Sequence, residues 1–155
     1  MVDKVVSFLK EWAVRYVKNK DLITKKIMSV EEFDDSFKII RKDKEQTCYI
    51  VPFVHSDAKG LERVKSQEHN KAIFCFHTKE NYEHMIKNWK YYVGFGRLFA
   101  IYFCNPFSKT DKVIVLNPHT HELISDEESL VTGLKTMAEN VEYTTEDEIK
   151  KIIGS

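Results

Sequence analysis

Residues 98 to 104 read Leu98-Phe99-Ala100-Ile101-Tyr102-Phe103-Cys104, a segment that is apolar at odd and even positions alike. A strand of this kind buries both of its faces, as central strands do in sheets that helices cover on each side. The segment Ala72-Ile73-Phe74-Cys75-Phe76-His77 has the same character. Together they predict the centre of an α/β fold.

The flanking sequence predicts the remaining elements. Apolar residues recur at helical spacing from residue 3 to 18, behind a capping Asp3. Residues 36 to 41 and 47 to 54 flank a charged turn, which is typical of a β-hairpin. Further helices are predicted over 57–68, 78–93, 125–141 and from Thr145 onward, and residues 112 to 116 are expected to pair antiparallel with 98 to 104. We therefore expect one domain over residues 1–155, with a mixed sheet of about five strands and helices on both faces.

The composition excludes several classes of protein. The chain has 155 residues with 24 basic and 24 acidic side chains, so it lacks the strong global positive charge of many DNA-binding domains. Residues 1 to 121 nevertheless hold 21 basic and 15 acidic side chains, whereas residues 122 to 155 hold 3 and 9. No apolar run approaches the ~20 residues of a membrane span, and the start does not resemble a signal peptide. We expect a cytoplasmic protein without membrane contact, whose three cysteines are buried free thiols.

Histidines and carboxylates near predicted strand ends form one candidate site. His55 and His77 fall where predicted strands end, and Asp57 and Glu80 follow them closely. Ligands of open α/β sheets bind beyond the carboxyl ends of parallel strands. If these strands are parallel, the four side chains line one cleft, with His77 as a general base or metal ligand. This pattern favours a small metal-dependent hydrolase, while a structural role for each residue remains the alternative.

A second candidate is the HxH sequence of His119 and His121. On a strand, this spacing places both imidazoles on one face, where they supply two ligands to zinc. The sequence nominates no third ligand and no other cofactor. A solvated turn is the alternative.

A third candidate is the run from Lys87 to Arg97, in which basic and aromatic residues interleave. Such surfaces hold phosphates and stack bases. The residues expected to remain exposed are Lys87, Lys90, Tyr91, Phe95 and Arg97. Of these, Lys87, Lys90, Tyr91 and Arg97 are expected to bind nucleic acid, and a solvated helix face is the alternative. The chain contains no GxSxG, GxxxxGK[ST], HExxH or calcium-loop motif, so any chemistry would depend on scattered residues.

The element order of helix, hairpin, strand, long helix and strand resembles the core of the restriction-endonuclease-like nucleases over roughly residues 3 to 116. This resemblance implies an acidic residue on the hairpin and an acid-x-Lys pair on the next strand, which together bind Mg²⁺ and assist the attacking water. The matching strands here are Thr47-Cys48-Tyr49-Ile50 and Ile73-Phe74-Cys75-Phe76, without carboxylate or lysine. The resemblance therefore implies a member that has lost catalysis and kept a binding role.

Three functions follow as hypotheses from the sequence. The first is a non-catalytic or degenerate nuclease-like domain that binds nucleic acid or another macromolecule. The second is the small metal-dependent hydrolase with the histidine and carboxylate cleft. The third is a subunit that docks onto a protein partner. The sequence does not specify an oligomeric state.

Overall fold

The computed structural model describes residues 3 to 154. Their six strands form one mixed sheet, in the order in which they occur along the chain: β1 (Ile27–Glu32), β2 (Ser36–Arg41), β3 (Glu45–Ile50), β4 (Lys71–Phe76), β5 (Phe99–Cys104) and β6 (Val113–Leu116). The helices are α1 (Lys4–Lys20), α2 (Ala58–Lys65), α3 (Lys79–Lys87), α4 (Trp89–Val93), α5 (Pro118–Ile124), α6 (Glu127–Ala138) and α7 (Glu146–Ile153), with a 3₁₀ turn at Val54–Ser56. The predicted α/β class is confirmed.

The direction of the strands determines where the chain segments meet. β3, β4 and β5 run parallel, whereas β2 is antiparallel to both β1 and β3, and β6 is antiparallel to β5. The predicted hairpin and the predicted antiparallel pairing of residues 112 to 116 are thus confirmed. β1, β3, β4 and β5 all begin at one end of the sheet, which we call the amino end, and β2 and β6 finish there.

Two apolar cores cover the two faces of the sheet. Ile73 and Cys75 face a core formed with α2, α3, α4 and α6, while Phe74 and Phe76 face a core formed with α1 and α7. Every residue of β4 is buried. Such burial on both faces is what the continuous apolar runs predicted, because side chains alternate between the faces of a strand.

Capping residues fix the ends of the outer helices as predicted. The Asp3 carboxylate accepts a hydrogen bond from the Val5 N–H at 2.7 Å, and Thr145 caps α7 by accepting from the Glu148 N–H. All three cysteines are buried free thiols. Burial raises the pKa of Cys48 to about 12, so this thiol stays protonated at neutral pH.

Three elements differ from the prediction. β1 lies between residues 18 and 36, where the sequence predicted no helix or strand, because only Ile27 and Val30 of its six residues are even partly buried. The predicted helix over residues 78 to 93 divides into α3 and α4 at Asn88. Residues 118 to 124, expected as a turn, form α5. Within the described part of the chain, no helix is both long and apolar enough to cross a bilayer.

We predict that shortening a core side chain on either face of the central strands lowers the stability by a similar amount. Phe103→Ala opens the core beneath α3, where the Phe103 ring lies 4.9 Å from that of Tyr82, and Phe74→Ala opens the core beneath α1. Each change should lower the free energy of unfolding by ~3–5 kcal/mol in urea denaturation, as core Phe→Ala changes do. Leu123→Ala, at a side chain that is 74% exposed, serves as the control. A loss as small as that of the control would contradict the two-core arrangement.

Candidate functional site

A basic groove with a volume of about 1110 Å³ lies at the amino end of the sheet. Its cations come from the segment before β1, from the β2–β3 turn and from the turn before β5: Lys25, Lys26, Arg41, Lys42, Lys44 and Arg97. Asp43 is the one carboxylate among the residues that line it. None of the six cations forms an ion pair within residues 3–154. The groove therefore presents an excess of positive charge.

A tight turn holds Lys25 and Lys26 in place. The Asp21 carboxylate accepts hydrogen bonds from the backbone N–H groups of Lys26 and Ile27, both at 2.9 Å. Desolvation acts to raise the pKa of Asp21, but these hydrogen bonds outweigh it and the pKa is lowered. Lys25 adopts a φ of 51°, in the left-handed region that costs a side-chain-bearing residue some strain. The two lysines thus extend from a turn that hydrogen bonds stabilise, at the start of the edge strand β1.

Lys71 also begins a strand at this end but is withdrawn from the groove. It is 3% exposed, and its Nζ donates hydrogen bonds to the carbonyls of Lys65 and Gln67, just beyond the last turn of α2. The ring of Phe95 lies 5.5 Å from the same ammonium, and it is buried although the sequence predicted it to be exposed. Burial lowers the pKa of Lys71. This lysine therefore stabilises the end of a helix and is not available to a ligand.

Carboxylates collect at the opposite end of the sheet in two segments. Residues 31 to 35, which include the end of β1 and its connection to β2, contain four acidic side chains, and residues 146 to 148 open α7 with three more. The chain just before α7 is fixed to this end, because the Thr144 N–H donates to the His77 carbonyl. These two acidic segments thus lie at the end of the strands away from the basic groove, where Asp35 and Glu146 pair with Arg63 and Lys150.

The structure separates the residues predicted to bind nucleic acid. Arg97 lines the basic groove, whereas Lys87, Lys90 and Tyr91 lie on a different cleft, beside α6. Lys90 is paired with Glu122, and the Tyr91 hydroxyl donates to the Glu62 carboxylate at 2.7 Å. Two of the four side chains are therefore engaged by carboxylates, because α4 packs against α5 and α2.

The four residues predicted to share a catalytic cleft are not brought together either. His55 bonds to Asn81, and Asp57 caps α2 by accepting from the Gly60 N–H at 2.9 Å. Glu80 is exposed on the first turn of α3. β3 and β4 are parallel, as that prediction required, but His55 and Asp57 line two different clefts. Within residues 3–154, no three His, Cys, Asp or Glu groups are arranged to hold a metal ion.

His77 is completely buried beneath the segment that connects α6 to α7. Its Nε2 lies 3.1 Å from the Ala138 carbonyl, and the Tyr143 ring stacks on the imidazole at 4.5 Å between centroids. Burial lowers the pKa of His77 below its ordinary value of 6.5, against the opposing effect of the Ala138 and Val141 backbone groups. A neutral imidazole in this position ties the connecting segment to the sheet and has no contact with solvent.

The HxH pair falls on a helix rather than on a strand. His119 and His121 belong to α5, where residues two apart do not face each other. The Nδ1 of His121 lies 3.0 Å from the Asn117 carbonyl, while the Nδ1 of His119 is buried without a hydrogen-bond partner. The geometry on which the zinc prediction depended is therefore not present.

The sequence prediction missed a pair of histidines in one cleft. His55 and His84 line a cleft of about 400 Å³ together with Glu62, Asn88 and Tyr91. His84 lies at the polar edge of the apolar stripe of α3, so its position in the sequence did not indicate a functional site. The basic residues of the groove were visible in the sequence before or after predicted strands. They could be recognised as one groove only once the order of the strands in the sheet was known.

The fold and the groove together define an α/β protein with a positively charged cleft at the amino end of a mixed sheet. The chain shows no significant match to a protein-family model, a curated protein or a solved structure. Its function therefore has to be inferred from the geometry and charge of the molecule itself.

We predict that His77 makes stability depend on pH. Because its folded-state pKa is lowered, the unfolded chain binds more protons below pH ~6.5, and stability falls as the pH decreases towards the folded-state pKa. One such group contributes a slope of up to about 1.4 kcal/mol per pH unit. His84, whose pKa is also lowered, first by burial and then by His55, adds to this slope. Urea denaturation of His77→Gln between pH 7.5 and 5 should give a shallower dependence than the wild type.

The matched control is His69→Gln, at an exposed ring whose Nε2 bonds to the Tyr49 hydroxyl. This variant should retain the wild-type slope. An identical slope in His77→Gln and the wild type would show that the buried imidazole is not a source of acid sensitivity.

Proposed function

We propose that this protein binds nucleic acid through the basic groove at the amino end of its sheet. The observation that carries the proposal is six cations around one groove with a single carboxylate, in a chain whose net charge is zero. If equal numbers of basic and acidic side chains were distributed by chance, such an excess of basic side chains around one groove would not be expected. Lysine and arginine side chains that are free of ion pairs can displace the counterions of a phosphate backbone.

The neutral side chains of the groove suit a polynucleotide better than a small inorganic anion. Gln46, Asn70 and Asn117 line the same surface and offer amide donors and acceptors. Amides of this kind hydrogen-bond to base edges and to sugar and phosphate oxygens. Met28 and Leu98, which are 70% and 50% exposed, add apolar surface beside the cations. Repeated phosphates with bases between them match this mixture of charge, amide and apolar groups.

We infer binding without cleavage, which accords with the resemblance to the restriction-endonuclease-like nucleases. In these nucleases, carboxylates on adjacent strands hold Mg²⁺. Here β4 offers Ile73, Phe74, Cys75 and Phe76, all buried, and its one lysine, Lys71, binds backbone carbonyls. β4 thus carries no carboxylate, and Glu45, the one carboxylate of β3, is paired with Lys38.

The proposal predicts salt-dependent binding that charge reversal in the groove weakens. Fluorescence anisotropy with labelled 30-nucleotide single-stranded DNA, duplex DNA and RNA should show affinity that falls as salt rises. In the double variant Lys42→Glu, Arg97→Glu, the slope of log K against log salt should become shallower by about 2, or ~1 for each phosphate that the variant no longer neutralises.

The matched control reverses two exposed lysines outside the groove, Lys59→Glu on α2 and Lys135→Glu on α6. Both double variants change the net charge equally, so the comparison isolates position from total charge. Equal weakening in the two variants would mean that binding is not localised to the groove. Absence of binding by the wild type at low salt would remove the proposal.

A second prediction separates binding from hydrolysis. Incubation of the same labelled oligonucleotides with the protein and Mg²⁺ should leave them intact on a denaturing gel, because no carboxylate cluster is available on the central strands. Cleavage that groove reversal abolishes would instead favour the metal-dependent hydrolase.

A further inference from the structure

The cleft that contains His55 and His84 lies away from the basic groove, next to the 3₁₀ turn that follows β3. His55 stands on that turn, while His84 lies on the last turn of α3. The two imidazoles are close enough that His55 contributes to lowering the pKa of His84. Both are half-buried and line the same space of about 400 Å³.

The hydrogen bonds of Asn81 determine the tautomer of His55. Asn81 is completely buried, and its Nδ2 donates to the carbonyls of Pro52 and Phe76, both at 2.9 Å. This amide orientation leaves Oδ1 to face His55 Nδ1 at 2.8 Å. Because Oδ1 is only an acceptor, the neutral ring must carry its proton on Nδ1. The lone pair of His55 is therefore on Nε2.

His84 is held in a similar way by a different group. Its Nδ1 lies 2.9 Å from the hydroxyl of the buried Tyr92, and that oxygen accepts a hydrogen bond from the ring when the ring proton is on Nδ1. For both histidines, the Nε2 atom forms no hydrogen bond within residues 3–154 and is not sealed from solvent. Each imidazole is thus held through Nδ1, which leaves Nε2 free of protein partners.

This arrangement is the one that protein ligands of transition metals adopt. A metal-bound histidine usually donates its other ring N–H to an oxygen of the protein, which fixes the ring and raises its basicity. Since the described residues offer no cluster of three ligand side chains, the protein supplies two nitrogen ligands and leaves the other positions to water or a ligand.

We propose that the His55 and His84 imidazoles, oriented by Asn81 and Tyr92, form a two-histidine site for a divalent transition-metal ion, best filled by Cu²⁺. Nitrogen ligands suit this class of ion, and Cu²⁺ forms the strongest complexes among the divalent metals of the first row. Mg²⁺ and Ca²⁺, which require oxygen ligands, should not bind here. The site is independent of the proposed binding of nucleic acid.

The test is isothermal titration of the full chain with Cu²⁺ alone at pH 7.5 in a non-chelating buffer. Loss of a partner that only orients a ligand costs roughly 10- to 100-fold in metal affinity, so loss of a ligand itself should cost at least about tenfold. His55→Gln and His84→Gln should each show this weakening. His69→Gln and His121→Gln, at histidines outside the cleft, should bind within about twofold of the wild type.

A second measurement does not require any variant to fold. Substoichiometric Cu²⁺ should broaden the imidazole NMR signals of His55 and His84 in the wild type before those of the other histidines, because the ion is paramagnetic. Absence of Cu²⁺ binding by the wild type would overturn the site. Equal affinity in a folded His55→Gln, or first broadening at His119 and His121, would likewise overturn it.

Discussion

The parallel pairing of β3, β4 and β5 between two apolar cores is the constraint on which the rest of the structure depends. Strands buried on both faces have no polar surface of their own, so all polar function is confined to the loops at their two ends. Parallel strands also begin at the same end of the sheet. Residues such as Lys26, Arg41 and Arg97, which are far apart in the chain, therefore become neighbours around one groove.

The central part of the fold could be predicted because each of its elements follows a single physical rule that is visible in the local sequence. The apolar runs of β4 and β5 permit burial on both faces, and Asp3 and Thr145 satisfy free N–H groups at helix starts. β1 could not be found by the same rule, since an edge strand with exposed side chains carries no strong alternation. Its pairing with β2 comes from tertiary context, and a bulge between Ile27 and Ser29 further disturbs the pattern.

The candidate sites were less predictable, for reasons that differ between residues. His55 was expected at a strand end and does line a cleft, but its partner is Asn81, an amide that no catalytic motif singled out. His77 has the same place relative to its strand and is buried, because the connection between α6 and α7 folds back over it. The difference depends on a chain segment about 60 residues later, which local sequence cannot reveal. Lys90 was similarly expected to be exposed and available for binding, but α5 places Glu122 next to it and the two side chains form an ion pair.

The separation of charge along the strands has a consequence for how the molecule moves. The basic groove at one end of the strands and the two acidic segments at the other contribute an electric dipole along the strands, although the net charge is zero. In the field of a highly charged surface, the molecule experiences a torque through this dipole but little net force, because its net charge is zero. It therefore rotates before it approaches, and the first collision with a negatively charged surface occurs preferentially with the amino end of the sheet in front.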